Sequence, residues 1–142
     1  MLICNNLQKM TSTVEYKENL RTEAVHIESG AKIITDAPKD NHGNGESFSP
    51  TDLLATSLSA CMLSIMGIIA KRDNILIEGL KTEVTKVMYA EPRRVGEIHV
   101  KLYMPKGLQD KEKKILENAA FTCPVAKSLH PDIIQKIDFI YS

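Results

Sequence analysis

From Leu53 to Ala70 the chain runs for 18 residues without a charge, and this run constrains the fold more than any other feature. It sits inside SFSPTDLLATSLSACMLSIMGIIAKRD, Ser47 to Asp73, which the spacing predicts as one long helix. Ser49 suits the N-cap, Pro50 suits the first helical position, and Asp52 follows Ser49 closely enough to approximate a capping box. Lys71 and Arg72 close the last turn, where cations complement the helix dipole. A helix that is apolar nearly all round belongs in a core or in a membrane. Spanning a bilayer takes about 20 apolar residues. Thr56, Ser57, Ser59 and Ser64 dilute this run and no Trp or Tyr belt flanks it, which favours the core. The opening MLICNNLQKM is too short and too polar for a signal peptide, so a cytoplasmic protein that is not in a membrane is expected.

A chain of 142 residues is expected to form a single domain, 1–142, with a substantial core. Its 18 basic and 18 acidic side chains cancel, and no basic block interleaves with aromatics, which argues against nucleic acid as a partner. A net charge near zero also leaves little repulsion against self-association. Three cysteines without an export signal do not make a disulfide framework. Free thiols, redox chemistry and metal binding stay open.

Before the long helix, three strands are expected: Met10 to Lys17, Leu20 to Glu28 and Lys32 to Asp36, joined by short turns into an antiparallel meander. Ala37 to Phe48, with Pro38, Gly43 and Gly45, reads as a loop long enough to be functional. After the helix, Glu78 to Tyr89 and Val95 to Met104 read as a hairpin around Glu91-Pro92-Arg93-Arg94. In its second arm Ile98, Val100, Leu102 and Met104 share one face. Asp110 is the expected cap of a second helix through Phe121, with Ile115, Leu116, Ala119 and Ala120 as its apolar stripe. Proline at a first helical position places Cys123 at the N-cap of a short third helix, Val125 to Leu129, and Ile133 to Tyr141 supplies a last strand. Runs of strands interrupted by helices, without strict alternation, indicate an α+β fold.

Cys61 and Cys123 are the pair with chemical potential. Cys123, at a helix start, is expected to have a lowered thiol pKa, and Cys61, in apolar company, a raised one. Cys61 then needs a cation, for which Arg21 on the second strand is the candidate. A cysteine in an apolar helix is more often a small hydrophobe, so spacing alone does not establish a redox role. Cys4 reads as a bystander. His26, His42, His99 and His130 show no ligand spacing, so no metal site is expected. Neither a Walker A loop nor a dinucleotide fingerprint is present. The serines of the long helix lack a nucleophile elbow.

The segments SPTDLLATSLSACM and, about sixty residues later, ENAAFTCPVAKSL resemble the OsmC/Ohr family of organic hydroperoxide reductases, and the element order is similar along nearly the whole chain. The resemblance implies an intertwined α+β homodimer with antiparallel sheets around long central helices. It implies that Cys61 attacks the peroxide, that Cys123 resolves the resulting sulfenic acid as a disulfide, and that Arg21 stabilises the thiolate. An external dithiol or lipoyl reductant, not a bound cofactor, would restore the enzyme. Peroxidase branches carry glutamate directly after the helix-opening proline, where it holds the arginine. Here Thr51 stands in that place and Asp52 follows, so Asp52 is the expected substitute. The alternative is a noncatalytic small-molecule binding or thiol-sensing protein on the same scaffold.

Overall fold

The structure, a computed structural model, describes residues 9–142. Cys4 and the start of the N-terminal segment read above lie outside the described residues. The chain divides into two compact units, Met1–Pro50 and Thr51–Ser142.

The first unit is the expected meander: β1 (Ser12–Tyr16), β2 (Arg21–His26) and β3 (Lys32–Asp36), antiparallel throughout. The β1–β2 link turns on three successive left-handed residues, Glu18, Asn19 and Leu20, which trims both strands relative to their expected ends. Register pairs Arg21 directly with Asp36, so the two side chains share a face. The following loop contains one short 3-10 turn, Lys39–Asn41. Every residue of β1 is exposed, including Val14 and Tyr16, whereas Thr35, Asp36 and Ser49 are buried.

The second unit is built on the long helix α1 (Pro50–Asp73), which begins at the expected proline. Ala55, Leu58, Ser59, Met62, Met66 and Ala70 form its buried stripe, at the spacing a helix presents to one neighbour. The neighbour is a sheet of β4 (Lys81–Tyr89), β5 (Arg94–Tyr103) and β6 (Ile134–Ile140), whose Ile98, Val100 and Leu102 join the same core. The buried Ser59 hydroxyl and the half-buried Thr82 hydroxyl hydrogen-bond across this contact at 2.6 Å. β4 starts later than expected because Gly79 is left-handed and Leu80 N–H closes a turn onto Ile77.

Helix α2 (Asp110–Ala120) opens on a capping box between Gln109 and Glu112. The N-cap is therefore Gln109, and Asp110 is the first helical residue instead of the expected cap. Leu116, Ala119 and Ala120 are buried, as their stripe requires. Helix α3 (Pro124–Ser128) follows with Cys123 as its N-cap, as expected. One detail corrects the expectation of antiparallel sheets: β6 runs parallel to β5, so this sheet is mixed. The cause is the α2–α3 crossover, which returns the chain to the end where β5 began; parallel neighbours need a long connection of this kind.

Candidate functional site: a thiol pair and an arginine clamp

Both expected thiols lie in the second unit, and the fold brings them together. Cys61 is half-buried on α1 and Cys123 is fully buried at the start of α3. Pro124 stops the chain from continuing α2 and starts a new helix, which turns the Cys123 side chain inward. Its sulfur accepts a hydrogen bond from the Ala126 N–H at 3.5 Å, and its S–H faces the Leu58 carbonyl of α1 at 3.9 Å. Leu58 precedes Cys61 by just under one turn, which brings Cys61 close enough to influence the Cys123 thiol.

The electrostatics of Cys123 reverse the expectation. Burial pushes its thiol up, and the neighbouring Cys61 pushes it in the same direction. The Ala126 and Val125 amides at the helix start act the other way and are outweighed. A short helix contributes few aligned amides, while complete removal from water penalises the thiolate in full. Burial thus favours the protonated form of Cys123.

Arg21 belongs to the first unit. Its Nε donates to Asp36 Oδ1 at 2.7 Å and its Nη2 to Asp36 Oδ2 at 3.0 Å, a two-point fork. Nη2 also donates to Glu46 Oε2 at 3.0 Å, and the Glu46 backbone N–H donates to Asp36 Oδ2 at 3.0 Å. The fork holds the Asp36 carboxyl below the usual carboxylate range and the guanidinium above its own. Asp52, in the first turn of α1, pairs with Lys86 of β4 at 2.8 Å, and Lys86 also donates to Thr51 Oγ1 at 2.9 Å. Among the described residues no cluster of His, Cys, Asp and Glu is arranged to hold a metal ion.

The family model for OsmC-like protein matches residues 43–137, a stretch that includes both thiols and the whole of α1. The chain belongs to the OsmC-like family. A solved structure from Psychrobacter arcticus, a putative osmotic stress induced and detoxification response protein, is 55% identical with a TM-score of 0.90, covering 96% of this chain and 99% of that one. An organic hydroperoxide resistance protein OsmC from Legionella pneumophila shares the fold at 18% identity and a TM-score of 0.71, over 95% of this chain and 98% of its own. An uncharacterized protein of Acinetobacter baylyi is 29% identical over 111 residues, 72% of this chain and 71% of that protein. The likeness explains α1: it is long and apolar enough to cross a membrane, yet it is the core helix of an OsmC-like fold.

Sequence reasoning singled out Cys61, Cys123, Arg21 and Asp52 but not Asp36, Glu46 or Lys86, which pair with two of them. Asp36 carried one usable signal, its place opposite Arg21 in a tight meander. Glu46 and Lys86 carried none, because their partners are far away in sequence.

Proposed function

We propose that this OsmC-like protein reduces organic hydroperoxides with a pair of cysteines. The convergence of the two thiols supports this reading most directly: the buried Cys123 sulfur meets the Leu58 carbonyl of α1 at 3.9 Å, just under one turn before Cys61. Ionised Cys61 attacks the terminal peroxide oxygen. The O–O bond breaks, the alkoxide takes a proton and leaves as the alcohol, and Cys61 becomes a sulfenic acid. The Cys123 sulfur then attacks the Cys61 sulfur; its proton and the sulfenic hydroxyl leave as water, and a disulfide forms. An external dithiol, free or lipoyl, reduces that disulfide. One hydroperoxide and one dithiol thus give an alcohol, water and an oxidised dithiol. Arg21 is the cation proposed to stabilise the Cys61 thiolate, and Asp52 is a carboxylate proposed to orient Arg21. Full peroxidase activity in Asp52→Asn would remove Asp52 from that role.

The active form is proposed to be an intertwined homodimer in the reducing cytoplasm. Supporting this, only 33% of the apolar stretch of α1 is buried within the chain, Leu54 and Ile68 are exposed on it, and so are Val14 and Tyr16 of β1. An obligate interface above about 2,000 Å² is expected. A monomeric mass in light scattering at micromolar concentration would contradict it.

A stoichiometric dose of cumene hydroperoxide or tert-butyl hydroperoxide is expected to remove both the Cys61 and Cys123 thiols, read by peptide mass mapping. Cys123→Ser stops at the sulfenic acid and over-oxidises with excess peroxide, whereas Cys61→Ser does not react quickly. Retention of both thiols in the native protein would favour the binding or thiol-sensing reading, to which Thr51 in the family's glutamate place also lends support.

A further inference from the structure

The register of β6 places Gln135, Ile137 and Phe139 beside Ile98, Val100 and Leu102, the residues that β5 gives to the core. Ile137 and Phe139 pack against that core, as strand alternation requires. Gln135 is the exception, a half-buried amide where the pattern calls for an apolar side chain. Its Nε2 donates to the Ala126 carbonyl of α3 at 3.0 Å. The helix it reaches is weakly held. It has five residues and none is fully buried. So short a helix has little stability of its own. The Ser128 hydroxyl bonds to the Pro124 carbonyl at 2.8 Å, which ties α3 only to itself. Among the described residues, Gln135 is the only side chain outside α3 and its N-cap that hydrogen-bonds to the helix.

The residue that Gln135 grips also carries the thiol. The Ala126 N–H donates to Cys123 Sγ at 3.5 Å while the Ala126 carbonyl receives the Gln135 amide, so one residue links the sulfur to β6. On its other side the sulfur meets the Leu58 carbonyl of α1 at 3.9 Å. Helix side chains lean toward the N-terminus, so Cys61 leans toward the turn that contains Leu58. We infer that Gln135 is a positioning residue for Cys123: its amide keeps α3 docked, so that the thiol proposed to resolve the sulfenic acid stays beside α1. This deepens the proposed peroxidase reading and rests on it. When α3 lifts, the Cys61 sulfenic acid loses its resolving thiol. A second hydroperoxide then oxidises the sulfenic acid to the sulfinic acid and leaves as its alcohol, and no disulfide forms. Gln135 thus sets the division between a recoverable product and an irreversible one.

Two measurements on the full chain test this. Iodoacetamide alkylation of reduced Cys123, read by peptide mass mapping, reports how often α3 opens and needs no peroxide. Gln135→Met, similar in length but without a donor, is expected to speed it about threefold to tenfold, the scale of one hydrogen bond. Gln135→Glu, with an acceptor in place of the donor, should speed it at least as much and carries the test if the first variant fails to fold. With excess cumene hydroperoxide, both variants should raise the ratio of Cys61 sulfinic acid to disulfide by a similar factor. Ile137→Val trims the core face of the same strand but spares the bond to Ala126, and should leave both readings near those of the native chain. Unchanged alkylation in the Gln135 variants, an equal rise in Ile137→Val, or faster alkylation with an unchanged product ratio overturns the inference and leaves the peroxidase reading intact. If the native chain keeps both thiols after peroxide, the peroxidase reading fails and the role of Gln135 in resolution falls with it.

Discussion

The two units carry their polar chemistry in opposite ways. In Met1–Pro50 a thin meander with an exposed outer strand holds a charged cluster, Arg21 with Asp36 and Glu46, where water and hydrogen bonds together sustain three ionised groups. In Thr51–Ser142 a close-packed helix and sheet hold a thiol, Cys123, which burial keeps protonated despite its place at a helix start. Both Asp36 and Cys123 are buried, and what separates them is the partner: an arginine forked onto Asp36 outweighs desolvation, whereas a few aligned amides at Cys123 do not.

Stability should divide along the same line. Leu58, fully buried against the second sheet, is expected to cost about 2–5 kcal/mol as Leu58→Ala in urea unfolding. Val14→Ala, on the exposed β1, should stay within about 0.5 kcal/mol. A larger loss at Val14 that depends on protein concentration would place that strand in a subunit interface and sharpen the contrast.

Glycines offer a second comparison. A Cβ at Gly96 would lie 2.2 Å from the Tyr89 ring, and one at Gly43 would lie 1.7 Å from the Ala37 carbonyl oxygen. Both alanine variants should lose about 1–3 kcal/mol, the usual scale of overpacking. Only the first obstacle is a side chain. Adding Tyr89→Ala should therefore recover part of the Gly96→Ala loss in a double-mutant cycle, whereas no side-chain truncation at position 37 should rescue Gly43→Ala. Absence of coupling between Tyr89 and Gly96 would refute the packing argument.

The smallest effect concerns acid. Asp36 titrates below the usual carboxylate range when folded, so its contribution to stability is present above the unfolded value of about 3.9 and is lost as pH falls through the lower folded value. Asp36→Asn should flatten the acid limb of a stability profile below about pH 4. A limb of unchanged slope would assign acid sensitivity to other carboxylates.

What was legible in the sequence was what neighbours in the chain decide. The bounds of β3, the start of α1 at Pro50, the cap at Cys123 and the buried face of β5 all follow from capping chemistry or from alternation over a few residues. The direction of β6 did not follow, because a strand's pattern is the same whichever way its neighbour runs. Nor did the attachment of Lys86 to the first turn of α1, or of Glu46 to Arg21, since long charged side chains on a sheet or a loop read simply as solvated. The two cysteines stood out in the sequence, and their expected roles came from the family resemblance; their setting, with a backbone carbonyl of one helix meeting the thiol at the start of another, is a product of tertiary packing.

The parallel pairing of β6 with β5 also sets an order of events during synthesis. Until the segment from Asp110 to Ile140 has been made, one edge of β5 has no strand beside it, and such edges invite pairing with other chains. Joining it waits on closure of a long loop, which is slow compared with forming the β4–β5 hairpin. Cys123 arrives on the same late segment. On the proposed chemistry, a nascent chain that meets peroxide in that interval has Cys61 without its resolving thiol, so oxidation can continue to the irreversible sulfinic acid. On that chemistry, the topology that buries Cys123 in the finished chain would make the unfinished chain its most oxidation-sensitive form.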